Sequence, residues 1–172
     1  GYAYMFGHEG KKLLFMGQEF AQEREWSEAR ELDWYMLQDE LNAGMLEYVK
    51  ELLRIYRKYP CMHEIDNDWG GFEWINADDA ERSTYSFIRK SSDGKNSLLF
   101  VLNMTPVARP DYCVGVPRRK TYKLLLNSDD KRFGGNGSEI PASIRAVSKP
   151  SDYRPYRITF DLPASSAVIF VF

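Results

Sequence analysis

Cysteine and histidine are nearly missing from this chain of 172 residues, which has two of each: Cys61, Cys113, His8 and His63. Two cysteines make no disulfide framework at this size, so both are expected as free thiols. Two distant histidines without H-x-x-x-H or C-x-x-C spacing make no zinc site, and no metal is expected. A charge excess is missing too: 23 basic and 25 acidic residues leave a net charge of −2. No field gathers phosphate backbones or anionic lipid, which excludes nucleic acid and membrane as partners. No run approaches the roughly 18 apolar residues of a membrane span, and GYAYMFGHEGKK lacks the order of a signal peptide. The chain is expected to be soluble and cytoplasmic. There is no G-x-S-x-G elbow, and Gly94-Lys95 lacks the rest of a phosphate loop, so neither a nucleophilic serine nor a cofactor is expected. An initiating methionine is also absent. Gly1 leads into Tyr2, Tyr4, Met5 and Phe6, which reads as the cut edge of something longer.

Apolar residues are plentiful, at 44% hydrophobic and 15% aromatic. A chain of this size can bury about two thirds of its unfolded surface, which excludes general disorder. It is nevertheless shorter than the roughly 250 residues of a complete (β/α)8 barrel. Leu13-Leu14-Phe15-Met16, closed by Gly17, reads as a short strand buried on both faces. Residues 18 to 40 suit a long loop with one short helix near Asp33 to Leu37. From Asn42, Met45, Leu46, Val49, Leu52, Leu53 and Tyr56 recur at spacings of three and four, which predicts a helix that Pro60 ends. Past Gly70-Gly71 the period becomes that of strands: Phe72 to Asn76, Thr84 to Lys90, Ser97 to Asn103, Thr121 to Leu126, Tyr156 to Leu162 and Ala167 to Phe172. The third is apolar on both faces and belongs at the centre of a sheet. Gly134 to Pro155 reads as a long surface loop. The pattern predicts an α+β chain in which a β-sandwich follows a helical N-terminal third.

Chemistry has few places to reside. Glu19 follows an apolar run, and Glu23 and Glu25 lie beside Trp26, a placing that suits acid/base groups. Glycoside chemistry pairs two carboxylates about 5 to 9.5 Å apart; solvated loop charges are the plainer reading. Trp26, Trp34, Trp69 and Trp74 all precede residue 75. Flat aromatic faces can stack on sugar rings, although tryptophan more often packs in a core.

Gly10 to Phe20 (GKKLLFMGQEF), Arg24-Glu25-Trp26 and Leu32-Asp33-Trp34 together resemble the segment around the eighth barrel strand of bacterial 1,4-α-glucan branching enzymes, of the α-amylase superfamily. Further matches follow in order: Gly71-Phe72-Glu73-Trp74, Asn103 to Val107, Val114 to Pro117, Leu126 to Asp129 and Gly134-Gly135-Asn136. The resemblance covers essentially the whole chain. It implies that residues 1–60 end a (β/α)8 barrel and that residues 61–172 form the all-β C-terminal sandwich. The family's catalytic Asp nucleophile, Glu general acid and stabilising Asp would lie upstream of Gly1, leaving this piece inactive alone and Glu19 at the barrel mouth. The implied partners are α-glucan (glycogen) chains and the missing upstream barrel. Gln18, Glu19, Trp26 and Trp34 would lie near the glucan groove, and Trp74 at a surface glucan site. Nothing is carried over to the 138–155 loop or to Ala164-Ser165-Ser166, where the chain departs from the family. A barrel strand deprived of neighbours would be covered by the helix at 42–59, by the β-domain, or by a second copy of the chain. Two rival readings are a free-standing carbohydrate-binding module and an interaction domain that uses the exposed remnant.

Overall fold

The computed structural model describes residues 1–172, beginning with a short helix, α1, at Tyr2–Gly7. Asp39 starts the long helix α2, Glu40–Lys58. Its carboxylate accepts from the backbone N–H of Leu41 at 2.8 Å and of Asn42 at 3.4 Å. Two of the donors that a helix start leaves unpaired are thereby satisfied. Arg57 and Lys58 occupy the last turn, where cations suit the helix dipole, and Pro60 follows. Val49, Leu52 and Ile55 form the buried seam. Leu53, expected on that seam, is 41% exposed, whereas Ile55 lies fully buried in its place.

Eight antiparallel strands follow: β1 (Phe72–Asp79), β2 (Thr84–Arg89), β3 (Leu98–Asn103), β4 (Arg109–Val116), β5 (Thr121–Asn127), β6 (Ser143–Arg145), β7 (Tyr156–Leu162) and β8 (Ser166–Val171). Six form one sheet in the order β1-β2-β3-β8-β5-β6, and β4 pairs with β7 in a separate two-stranded ribbon. Alternation assigns the faces. Phe87, Leu98, Phe100, Leu102, Ala167 and Ile169 pack with Phe6, Leu52, Ile55 and Met62 from the helical side. Ile88, Leu99, Val101, Val168 and Phe170 pack with Val114, Ile158, Phe160 and Leu162 from the ribbon. The sheet therefore has helices on one face and the ribbon on the other. This is why β3 is buried at every residue, as its unbroken apolar run implied.

Two strands were not expected. β4 contains Pro110, a left-handed Asp111 (φ 50°) and a register shift between Arg109 and Tyr112, which together break the alternating pattern. β6 is three residues long and falls inside the expected surface loop 134–155, whose Ala146 is buried in the ribbon-side core. The largest correction concerns Leu13 to Met16, which form no strand. A strand needs a neighbour to take its backbone groups. Here the Phe15 carbonyl accepts from Gln18 N at 2.8 Å, and the Phe15 N–H donates to the Gln18 side-chain Oε1 at 2.9 Å. Leu13 is 74% exposed, and Phe15 and Met16 are each about half exposed. Neither α2 nor the sheet covers them as expected.

Candidate functional site

The segment 15–34 gathers four of the five residues singled out from the sequence. Gly17, in a left-handed conformation (φ 86°), leads into a 3-10 turn at Gln18–Phe20. A Cβ at Gly17 would stand 2.8 Å from the Gln22 side chain, so this turn requires glycine twice over, for its φ and for its space. The Tyr2 hydroxyl donates to the Gln18 carbonyl at 3.1 Å, tying the turn to α1. Asn42 of α2 donates to the Phe20 carbonyl at 2.7 Å. Phe20 is buried beneath Trp34, with ring centroids 5.1 Å apart, and Phe15 meets Trp26 edge-on at 5.5 Å. Trp34 rests one side on the Phe20 ring and remains 48% exposed, and Trp26, in edge contact with Phe15, remains 37% exposed. That is the geometry of an aromatic platform. Gln18 is exposed beside them and Glu19 is half-buried.

A polar clamp holds this loop. Asp33 is 3% exposed and takes both forks of Arg24: Nε donates to Oδ2 at 2.6 Å and Nη2 pairs with Oδ1. Gln22 fastens the two ends, accepting from Asp33 N at 2.7 Å and donating to the Arg24 carbonyl at 2.8 Å. The hydrogen bonds and charge of Arg24 hold the Asp33 carboxyl below the usual aspartate range. Asp33 is therefore a fixed anion and unsuited to donate a proton as a general acid. The spacing of acids carries no signal of this role; the available cue is Arg24 nine residues upstream. Because the folded pKa is lowered, the stabilisation is complete above the ordinary aspartate pKa near 3.8 and is lost as pH falls through the folded value. Trp26 and Trp34 emission is expected to stay constant from neutrality to about pH 5 and to change only in stronger acid. An Asp33→Asn chain should show the acid-type emission already at pH 7. A break in the wild-type profile near neutrality would contradict the clamp.

Trp74 does not join the group. It sits on β1 with its ring against Phe72 (5.0 Å), Phe87 (5.5 Å) and His8 (6.0 Å), which makes it largely a packing residue. Both cysteines are free. Burial pushes the Cys61 thiol up to about 12, so it is not a reactive thiolate. No group of three or more His, Cys, Asp or Glu side chains is arranged to hold a metal. The loop offers flat aromatic faces and hydrogen-bonding side chains, which suit contact with a neutral polyhydroxy ligand better than proton transfer.

Residues 74–172 match the family described as alpha amylase, C-terminal all-beta domain. The chain belongs to that family. Its similarity to curated proteins extends further, through the helical segment. It is 62% identical over all 172 residues to a 1,4-alpha-glucan branching enzyme of Butyrivibrio fibrisolvens, covering 100% of this chain and 27% of that protein. It is 46% identical over 170 residues to the enzyme of that name from Cereibacter sphaeroides, covering 99% of this chain and 23% of the relative. The chain thus spans about a quarter of the length of the curated relatives it matches. Among solved structures it is similar in fold to a debranching enzyme of Nostoc punctiforme, with a TM-score of 0.64 and 17% identity over 98% of this chain and 29% of that one.

Proposed function

We propose that this chain supplies the C-terminal part of a 1,4-α-glucan branching enzyme, which moves an α-1,4-linked glucan segment onto a 6-hydroxyl. The observation that supports this reading is the 62% identity sustained over the whole chain, helical segment and sheet alike. In this reading residues 1–60 belong to the end of a (β/α)8 barrel, although no strand forms among them here. Residues 61–172 are the β-domain, and the catalytic carboxylates come from the rest of the longer protein. The exposed apolar side chains Leu13, Phe15, Met16, Tyr35 and Leu41 are the face that the remainder of the barrel covers. Where that cover is lacking, a second copy can take its place. Gln18, Glu19, Trp26 and Trp34 form one wall of the glucan groove, with the Arg24–Asp33 clamp holding the tryptophans in place. The setting is the cytoplasm, where glucan stores are built.

The test is an iodine-staining branching assay on amylose, using the longer protein encoded around this segment and, in parallel, the 172-residue chain alone. The longer protein is expected to introduce α-1,6 linkages, and the chain alone none. Hydrolysis without branching by the longer protein, or branching by the chain alone, overturns the reading. In the longer protein, Trp34→Ala is expected to raise the KM for amylose about three- to tenfold, as loss of one stacking face would. An unchanged KM removes Trp34 from the groove.

A further inference from the structure

An asparagine followed by glycine is prone to lose its side-chain amide, because the second residue has no side chain to shield its backbone nitrogen. Asn136-Gly137 is the one such pair in the chain. Asn136 is exposed, so water and base reach it. Yet Asp129, itself only 7% exposed, engages both of the groups that would react. Its Oδ1 accepts from Asn136 Nδ2 at 3.1 Å and from Asn136 N at 2.9 Å, and its backbone carbonyl accepts from Gly137 N at 2.7 Å. Its Oδ2 accepts from Ser138 N at 3.1 Å. Burial disfavours the charge of Asp129, but the hydrogen bonds from Ser138 and Asn136 outweigh it and hold the carboxyl below the usual aspartate range. A Cβ at Gly135 would stand 2.3 Å from the Asp129 carbonyl, so the loop closes on this residue at a place only glycine allows.

We propose that Asn136-Gly137 is a covalent modification site whose only co-reactant is water: a latch that deamidates while the loop at 129–138 stands open, and that cannot close once it has reacted. In the open loop the Gly137 nitrogen attacks Asn136 Cγ. The new C–N bond forms as the bond to the amide nitrogen breaks, and the Gly137 proton leaves with the ammonia. One water then opens the resulting succinimide to aspartate or isoaspartate. In the closed loop the Gly137 N–H and the Asn136 amide are both bonded to Asp129, so neither is free to meet the other. Charge blocks reclosure. Residue 136 then carries a carboxylate where Nδ2 stood 3.1 Å from Asp129 Oδ1, with no proton to donate, and two carboxylates sharing one site repel. Isoaspartate also lengthens the backbone of a loop that has no spare room at Gly135. What the latch holds is the docking of α2. The Phe133 ring lies 5.4 Å from that of Tyr48, and a Cβ at Gly44 would stand 2.9 Å from the Phe133 carbonyl carbon. Opening the loop loosens the contact between the helical segment and the sheet.

The latch does not depend on the proposed function, and branching activity is not its readout. It is tested in the longer protein, held in mildly alkaline buffer and then digested with trypsin, by mass spectrometry of the peptide 133–145, in which Asn136 is the only side-chain amide. Deamidation in the native protein is expected to be at least about tenfold slower than in the same peptide free in solution, because it waits on local opening. Equal rates overturn the latch. Asp129→Ala frees the Asn136 amide and is expected to bring the native rate toward that of the free peptide; a rate that stays at the wild-type value overturns the role of Asp129. If that variant does not fold, wild-type protein in urea below its transition replaces it. There the rate is expected to rise before global unfolding, and a rise only with global unfolding overturns local gating. Asn136→Asp is expected to speed amide exchange at 129–138 and around Gly44 at least about threefold while leaving β3 unchanged. Exchange at the wild-type rate in that variant overturns the block on reclosure.

Discussion

Arg89→Ala is expected to destabilise the chain by about 3–5 kcal/mol, the cost of breaking a buried charged network from one side. Arg89 is 0% exposed. Its guanidinium donates to the carbonyls of Cys61 (3.1 Å), Gly7 (3.2 Å) and Ile65 (3.4 Å), and pairs with Asp66 at 3.1 Å. One side chain of β2 thus gathers the end of α1 and the connection after α2. Truncation strands three carbonyls and a largely shielded carboxylate, so the penalty is that of unpaired buried acceptors and not of one lost bond. Arg89→Lys keeps the charge but offers a point donor where a planar fork is needed, and only part of the stability should return. The contrast is Lys50→Ala. That pair with Glu47 lies on the outer face of α2, with the two side chains 58% and 57% exposed, and exposed pairs are worth about 0.5 kcal/mol or less. Urea melts of the three variants decide the matter. A loss below about 1 kcal/mol for Arg89→Ala would mean that water enters and satisfies the acceptors.

Arg89 also shows where sequence patterning stops being informative. A polar residue ending the strand Thr84 to Lys90 looks like a solvated edge, and no spacing reveals that α1 and the 61–66 segment close over it. The elements that were legible are those whose period is set by their own neighbours. α2 has repeated apolar spacing and a capping aspartate, β3 has burial on both faces, and β7 alternates cleanly with Thr159 and Asp161 outward. β4 was not legible, because a proline and a register shift interrupt its alternation. Leu13 to Met16 have the pattern of a strand, but a short apolar run becomes one only when a neighbouring strand binds its backbone, and here Phe15 bonds only locally, to Gln18. At the candidate site, Gln18, Glu19, Trp26 and Trp34 belong to one short continuous loop, so that their grouping follows from sequence distance alone. The resemblance sets Trp74 apart from them at a surface site, but it does not reveal the packing of that ring, which comes from His8 and β2, distant in sequence.

Phe87→Ala is expected to cost about 3–5 kcal/mol and, unlike most core truncations, to be visible at a named tryptophan. Phe87 is fully buried at the middle of an aromatic stack, 4.8 Å from the Phe100 ring at 10° and 5.0 Å from Phe72 at 26°. Its edges meet Trp74 at 5.5 Å and Tyr4 of α1 at 6.2 Å. Gly7 closes the pocket: a Cβ there would stand 2.7 Å from Phe100 and 2.8 Å from Phe87, so α1 sits directly on the stack. Deleting the ring therefore removes transfer energy, leaves a cavity and frees one contact each of α1 and Trp74. Trp74 emission should shift to the red in the folded variant, and amide exchange in α1 should quicken before the global transition. Phe87→Leu, which fills part of the space, should recover about half of the loss while leaving Trp74 altered, because an aliphatic side chain offers no aromatic edge. If Phe87→Ala costs less than about 1 kcal/mol, the stack relaxes around the gap, and α1 is then held by Arg89, Tyr2 and its buried Ala3 and Phe6. If the cost is full and Trp74 does not respond, the ring of Trp74 is free of the core.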